Sequence, residues 1–214
     1  MIENMEKRRF LKFSMLIFIC LFTLISCGKE EFIGSEDKNE QTHLINNNGH
    51  NYVDLGLSAY WATRNIGAHI PTDQGNKYAF GEIITKSDYT SSNYTGGNAD
   101  VAKQNWGGDW RLPTKNEIEE LVNKCSWKIN TRNGIQVATA TGPNGNSIDL
   151  PYYSYIQNEG YQGWYWSSTA YSSSKAFCLH FSGNTVSSGT NNKYLGFLAR
   201  AVITNPNYTD TNTG

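Results

Sequence analysis

Thiols and imidazoles are the side chains of this chain best suited to nucleophilic attack, metal binding or cross-linking, and it has 4 of each. Cys20 and Cys27 fall in or just after an apolar N-terminal run, which leaves Cys125 and Cys178 in the body of the sequence. Cys125 lies on the apolar stripe of a predicted helix and Cys178 inside a predicted strand, neither in a paired-cysteine motif. Such thiols either act as small buried hydrophobes or, in an oxidising compartment, close one disulfide with each other. Among His43, His50, His69 and His180, no two stand at helical ligand spacing and none accompanies a cysteine motif, so zinc is not expected. There is no Gly-x-Ser-x-Gly elbow, no P-loop and no Gly-x-Gly-x-x-Gly. Paired carboxylates for glycoside hydrolysis are defined by distance in space, and nothing in the sequence singles out a pair. The expectation is binding rather than catalysis, with no metal and no cofactor.

Aromatic residues are the stronger signal. Tyr152, Tyr153, Tyr155, Tyr161 and Trp164 crowd a short stretch between glycine turns. Tyr and Trp supply large contact area at low entropic cost and carry a polar tip, which suits contact with a glycan or a protein. If these rings only fill a core, they are buried. If they recognise a ligand, at least two are exposed beside one shallow groove. Trp166, two positions on from Trp164, is expected to point inward.

Composition narrows the class. The chain is 38% hydrophobic, 17% charged and 13% aromatic, with 20 Gly and 5 Pro in 214 residues. That excludes a coiled coil, a collagen and a wholly disordered chain, and suits a β-rich domain with Gly-rich loops. A formal charge of −1 gives no reason to expect a nucleic-acid partner.

The N-terminus reads as an address. Lys7, Arg8, Arg9 and Lys12 precede the apolar run 13–25, which is short for a membrane span. The run ends in Leu24, Ile25, Ser26, Cys27 and Gly28, which resembles a bacterial lipobox with Cys27 as the lipid attachment residue. Residues 1–26 are then a lipoprotein signal peptide, and 27–48 the lipidated Cys and a flexible tether. Lys29, Glu30 and Glu31 resemble the acidic signal that sends lipoproteins of Bacteroides-type bacteria to the cell surface. Expected are an outer-membrane location at the cell surface and a lipid anchor of two or three chains, which suffices for stable attachment.

Residues 49–203 form the globular domain and 204–214 a disordered tail. One helix over about 114–125 is well marked: Thr114 and Glu117 make a capping box, and Ile118, Leu121, Val122 and Cys125 line one face. Ala99–Gln104 suggests one more helical turn. Elsewhere short strands are expected at 52–55, 60–63, 77–82, 135–140, 147–150, 163–168, 176–181, 185–188 and 197–203, with Asn144 and Gly145 as a hairpin turn. Many short strands beside few helices make the fold class α+β.

Three ordered stretches carry a resemblance. They are Tyr52–Leu57 with Trp61 and Asn65; Trp106, Trp110, Arg111, Leu112, Pro113 and Thr114 with Glu117 and Leu121; and Gly163–Ser168 with Arg200. Together they resemble the major paralogous domain family first named from Fibrobacter succinogenes. The resemblance implies a C-type-lectin-like fold of twisted antiparallel sheets, closed where N- and C-terminal strands pair, and distantly related to formylglycine-generating, sulfatase-modifying factors. In it, Trp110 to Thr114 and Glu117 are scaffold. The connection holding Tyr152 to Trp164 lies where such folds vary their ligand-facing loops. Relatives often carry Cys at the place of Arg64 and small residues at Tyr152 and Tyr153. The loop and strand motifs of calcium-dependent lectins are missing. The implied function is a surface-anchored lipoprotein whose non-catalytic lectin-like domain binds an unidentified glycan or protein. The alternatives are a degenerate formylglycine-generating-type enzyme and a structural cell-envelope or adhesin component.

Replacing Cys27 by Ala should release the protein from membranes and accumulate the unprocessed form on cell fractionation. Membrane-bound, fully processed C27A would contradict the lipobox reading.

Overall fold

A computed structural model describes residues 45–156 and 160–209, with side chains described for 46–153 and 161–209. The segment containing the apolar run, Cys27 and the acidic residues after it lies outside the described residues, as do 210–214. No helix among the described residues is long and apolar enough to cross a membrane.

In chain order the elements are β1 (Ile45–Asn47), β2 (His50–Val53), β3 (Ala59–Asn65), β4 (Lys77–Tyr78), α1 (Val101–Trp106) and α2 (Lys115–Lys124). There follow β5 (Ser126–Arg132), β6 (Ile135–Thr141), β7 (Ser147–Pro151), β8 (Ser154–Ile156) and β9 (Gly160–Ala170). The last are β10 (Lys175–Ser182), β11 (Thr185–Asn192), β12 (Phe197–Leu198) and β13 (Arg200–Thr204). They build three sheets, ordered β1-β2-β3-β13, β11-β10-β9-β12-β4 with β8 also on β9, and β5-β6-β7. The pairing is antiparallel apart from β12 on β9. The fold is α+β, and β3 pairs with β13 as the resemblance implies.

Local chemistry explains the two helices. Thr114 Oγ1 accepts from the Glu117 amide at 3.3 Å, and Glu117 Oε2 accepts from the Thr114 amide at 2.7 Å, so the capping box is closed in both directions. Ile118 and Leu121 are fully buried. Arg111 grips the same Glu117 with two parallel bonds of 2.7 and 2.6 Å, tying the loop to the helix start. Burial pushes the Glu117 carboxyl up, but the Arg111 and Thr114 hydrogen bonds outweigh it and hold the group below its ordinary value. The short α1 starts at Asp100, whose Oδ1 accepts from the Ala102 and Lys103 amides while Oδ2 accepts from the Leu112 amide. One carboxylate thus caps a helix and fixes the loop that leads to Pro113.

Two packed clusters form the core. Trp106, Trp110, Trp166, Cys178 and Phe197 belong to one; Trp61, Leu121, Cys125, Tyr165 and Phe181 belong to the other. Trp110 is fully buried and donates from Nε1 to the Asn47 carbonyl at 3.0 Å, which pins the β1–β2 hairpin to the motif loop. Gly163 has no substitute: a Cβ there would lie 1.8 Å from the Phe181 ring, which packs across the strand.

Several boundaries differ from expectation. The stretch 197–203, expected as one strand, is two. Phe197–Leu198 pairs with β4 and β9, and after Ala199 the chain crosses to pair with β3. Every residue of 197–203 is buried, so the run carries no alternation that would mark the crossing. β1 begins inside the expected tether, because 45–47 pair with 50–52. The expected loose tail is tied down at its start: Thr204 is in β13, buried Asn205 donates to the Leu57 carbonyl at 2.9 Å, and Tyr208 meets Lys124 at 2.5 Å. β5 was not expected: only Trp127 and Ile129 in it are apolar, and both are only partly buried, yet it pairs with β6 along its whole length.

Arg200 lies fully buried where the sheets meet. Its guanidinium donates to Asn65 Oδ1, the Ala62 carbonyl and the Asp149 carbonyl, each at 2.8 Å. Asn65 Nδ2 in turn donates to the Tyr165 hydroxyl at 3.2 Å, so residues of all three sheets are joined through one charged group.

Trp110→Ala and Leu121→Ala should each cost about 2–5 kcal/mol, as large-to-small core changes do. Thr114→Ala should cost only about 1 kcal/mol. Denaturant unfolding checks the ranking; a Trp110→Ala protein as stable as the parent would remove the motif from the core.

Candidate functional site

The thiols are not a site. Cys125 and Cys178 are both free and buried, one in each core cluster, so of the two alternatives they are small buried hydrophobes and the possible disulfide is not formed. Cys125 closes α2 against the helix's own cluster, while Cys178 is held in the ladder opposite Trp166 and Gly189. Burial pushes each thiol up to about 12, helped at Cys125 by the Glu120 charge, so neither is a thiolate at neutral pH. Among the described residues no group of His, Cys, Asp and Glu could hold a metal ion.

The five aromatic candidates separate. Tyr152 is buried, with its hydroxyl on the Gly183 carbonyl at 2.6 Å and its ring against Phe181; burial pushes the phenol up to about 12. Trp164 is partly buried against the first core cluster, stacked on His180 at 3.5 Å and on Phe197 at 5.2 Å, so it does not join the others. These two placements correct the expectation that both rings are exposed at the surface. The side chain of Tyr155 lies outside the described residues, although its backbone pairs with Tyr161. Tyr161 is 46% exposed and Tyr153 half-buried under the Lys77 ammonium, 4.8 Å from its ring centre. Tyr152, Tyr153 and Tyr161 line one shallow groove of about 180 Å³ with Gln74, Ile135 and Gln136. As expected, Trp166 points inward; its indole donates to the Tyr78 carbonyl.

A larger cleft of about 570 Å³ opens between the β1–β2–β3 face and the β5–β7 sheet. The strand face contributes Asn51, Val53 and Thr63, the last two residues of β3 near it being Thr63 and Arg64. Arg132 and Asp149 supply the opposite wall, with His69 and Pro71 at the rim. Asp149 is held on all sides. Its backbone carbonyl accepts from buried Arg200, Oδ1 accepts from Thr139 at 2.6 Å, and Oδ2 faces Arg132 Nε at 3.4 Å. Arg64 spans the other wall, donating to the His69 carbonyl at 3.1 Å and lying 3.3 Å from His50 Nδ1. The cleft therefore offers guanidinium, amide and hydroxyl groups around a carboxylate of fixed position, which is the equipment of a polar binding site.

Cleft and groove are neighbours. Arg132 of the cleft and Ile135 of the groove are direct partners at the β5–β6 turn, and the segment from Pro71 to Gln74 runs from one to the other. Sequence reasoning missed the cleft because its residues come from β1, β2, β3, β5 and β7, and no short spacing unites them. One signal was present: Arg64 departs from the Cys of the resembled family.

Comparison with known proteins gives one match. A family model described as the Lcl C-terminal domain matches residues 60–203. No curated protein and no solved structure matches the chain.

Proposed function

The chain belongs to the Lcl C-terminal domain family, a Fibrobacter-type paralogous family, and from that premise we propose that it is a surface-displayed lipoprotein whose lectin-like domain binds an extended glycan or protein segment without transforming it. In this reading Cys27 carries the lipid, the outer membrane is the support, and the acidic residues after Cys27 direct display at the cell surface.

One observation carries the binding reading: the cleft and the tyrosine groove adjoin at the Arg132–Ile135 end of one hairpin. A polar depression beside an aromatic one offers an extended ligand hydrogen bonds along one part and ring contact along the next. Tyr161 and Ile135 are exposed apolar side chains at that junction, and clustered exposure of this kind marks contact sites. The ligand-facing walls lie on strands held by Arg200 and Asp149, so little is lost in ordering them on binding. The rival, a formylglycine-generating-type oxidase, needs closely placed cysteines. Cys125 and Cys178 in separate clusters support binding instead.

Glycan-array and pull-down screening with the soluble mature chain should yield a ligand. Arg132→Ala and Tyr161→Ala should then each weaken it at least tenfold, the scale of an anchor residue worth about 2 kcal/mol. A ligand indifferent to both substitutions would overturn the reading.

A further inference from the structure

His50 occupies an unusual place for a titratable group. Its ring lies flat on Trp106, with centroids 3.9 Å apart and planes within 10°, and meets the edge of Trp110 at 6.2 Å. Its Nδ1 faces Arg64 Nη2 at 3.3 Å. A guanidinium only donates, so Nδ1 is the acceptor and the ring is neutral with its proton on Nε2. The same guanidinium donates through Nη1 to the His69 carbonyl. Arg64 thus bridges the β1–β2 hairpin, through His50, to the rim residue His69, and both Arg64 and His69 line the cleft.

We propose that the His50–Arg64 contact is an acid-operated latch on the cleft: proton uptake at His50 Nδ1 breaks it and frees the Arg64 guanidinium, a lining group of the cleft, from the β1–β2 hairpin. The inference rests on the cleft being the ligand site. The protonated ring and the guanidinium would be two cations and two donors at 3.3 Å with no acceptor between them. The ring is the partner that stays, because a cation stacked on indole is attracted to its face. Arg64 is the partner that leaves, being half-exposed on a flexible stem.

The surroundings of His50 agree. On β3 it faces Arg64; from α1 and the following loop it meets the uncharged rings of Trp106 and Trp110. On that side Lys103 donates to the Gly108 carbonyl and Asp109 is exposed, while the hairpin turn beside it carries neutral Asn48, bonded to the Trp106 carbonyl. The backbone carbonyl of His69 accepts from the same guanidinium. Burial, and then the Arg64 charge, hold the imidazole below its ordinary value of 6.5. The unfolded chain therefore takes up this proton before the folded chain does, and stability falls as pH drops from 6.5 through the folded value.

The test is a titration of the full chain in detergent, from pH 8 to about 4.5, by imidazole and arginine side-chain NMR. His50 should titrate below 6.5, and the Arg64 Nε–H signal should move with the same midpoint. Arg64→Met should raise the His50 midpoint, and Arg64→Lys should raise it less because the charge remains. A His50 midpoint at or above 6.5, an Arg64 signal that ignores it, or a midpoint indifferent to Arg64→Met would overturn the latch. His50→Gln should abolish the Arg64 response; if that variant fails to fold, the parent's own two signals decide. No ligand enters the measurement, so its failure leaves the binding reading intact, and failure of the binding reading leaves the titration standing.

Discussion

The buried guanidinium of Arg200 holds β13 against β3 through Ala62 and Asn65, and against β7 through Asp149. A charge taken fully out of water costs several kcal/mol unless its donors are met. Here amide and carbonyl oxygens meet them, with the Tyr165 hydroxyl joined through Asn65. Burial works against the charge on Arg200, and the Tyr165 and Asp149 sites work for it, while burial outweighs Arg200 in pushing the Tyr165 phenol up to about 12. Each oxygen that Arg200 satisfies belongs to a strand whose position depends on the others. Asp149 shows the consequence for the surface: the backbone is fixed from inside by Arg200 and the side chain from outside by Thr139 and Arg132. The cleft is the outer face of that arrangement.

Much of the fold was legible in the sequence because local rules governed it. The Thr114–Glu117 box and the stripe Ile118, Leu121 and Cys125 predict α2 within a residue or two of its observed bounds. The Gly142–Asn146 turn sits between β6 and β7 as Asn144 and Gly145 indicate. What failed was non-local. The exchange of sheets at Ala199 is invisible in a run buried throughout, and in β5 the short alternation of Trp127 and Ile129 marks a strand only once β6 is placed beside it. Asn205 and Tyr208 look like tail residues until Leu57 and Lys124 are placed beside them.

The candidate site was legible only in its aromatic half. Tyr152, Tyr153 and Tyr161 line one groove, but of the described rings only Tyr161 is exposed, not the two expected; Tyr152 commits its hydroxyl to Gly183, and Trp164 stacks on His180 and Phe197. Ring density reports that a segment is rich in contact area; it does not report which side of a strand each ring takes. The cleft was out of reach for a different reason. Asn51, Arg64, Arg132 and Asp149 are spread over almost a hundred positions, and only the approach of the β3 face to β7 makes neighbours of them. His50 and His69, unremarkable by ligand spacing, acquire meaning only through Arg64.

If Arg200 is the group on which the three sheets depend, its charge alone should not suffice; the planar fork must reach β3 and β7 together. Equilibrium unfolding of Arg200→Lys is the direct measurement. Lysine keeps the buried charge but cannot meet Asn65, Ala62 and Asp149 at once, so a loss of about 3 kcal/mol or more is expected. A lysine variant as stable as the parent would contradict the account.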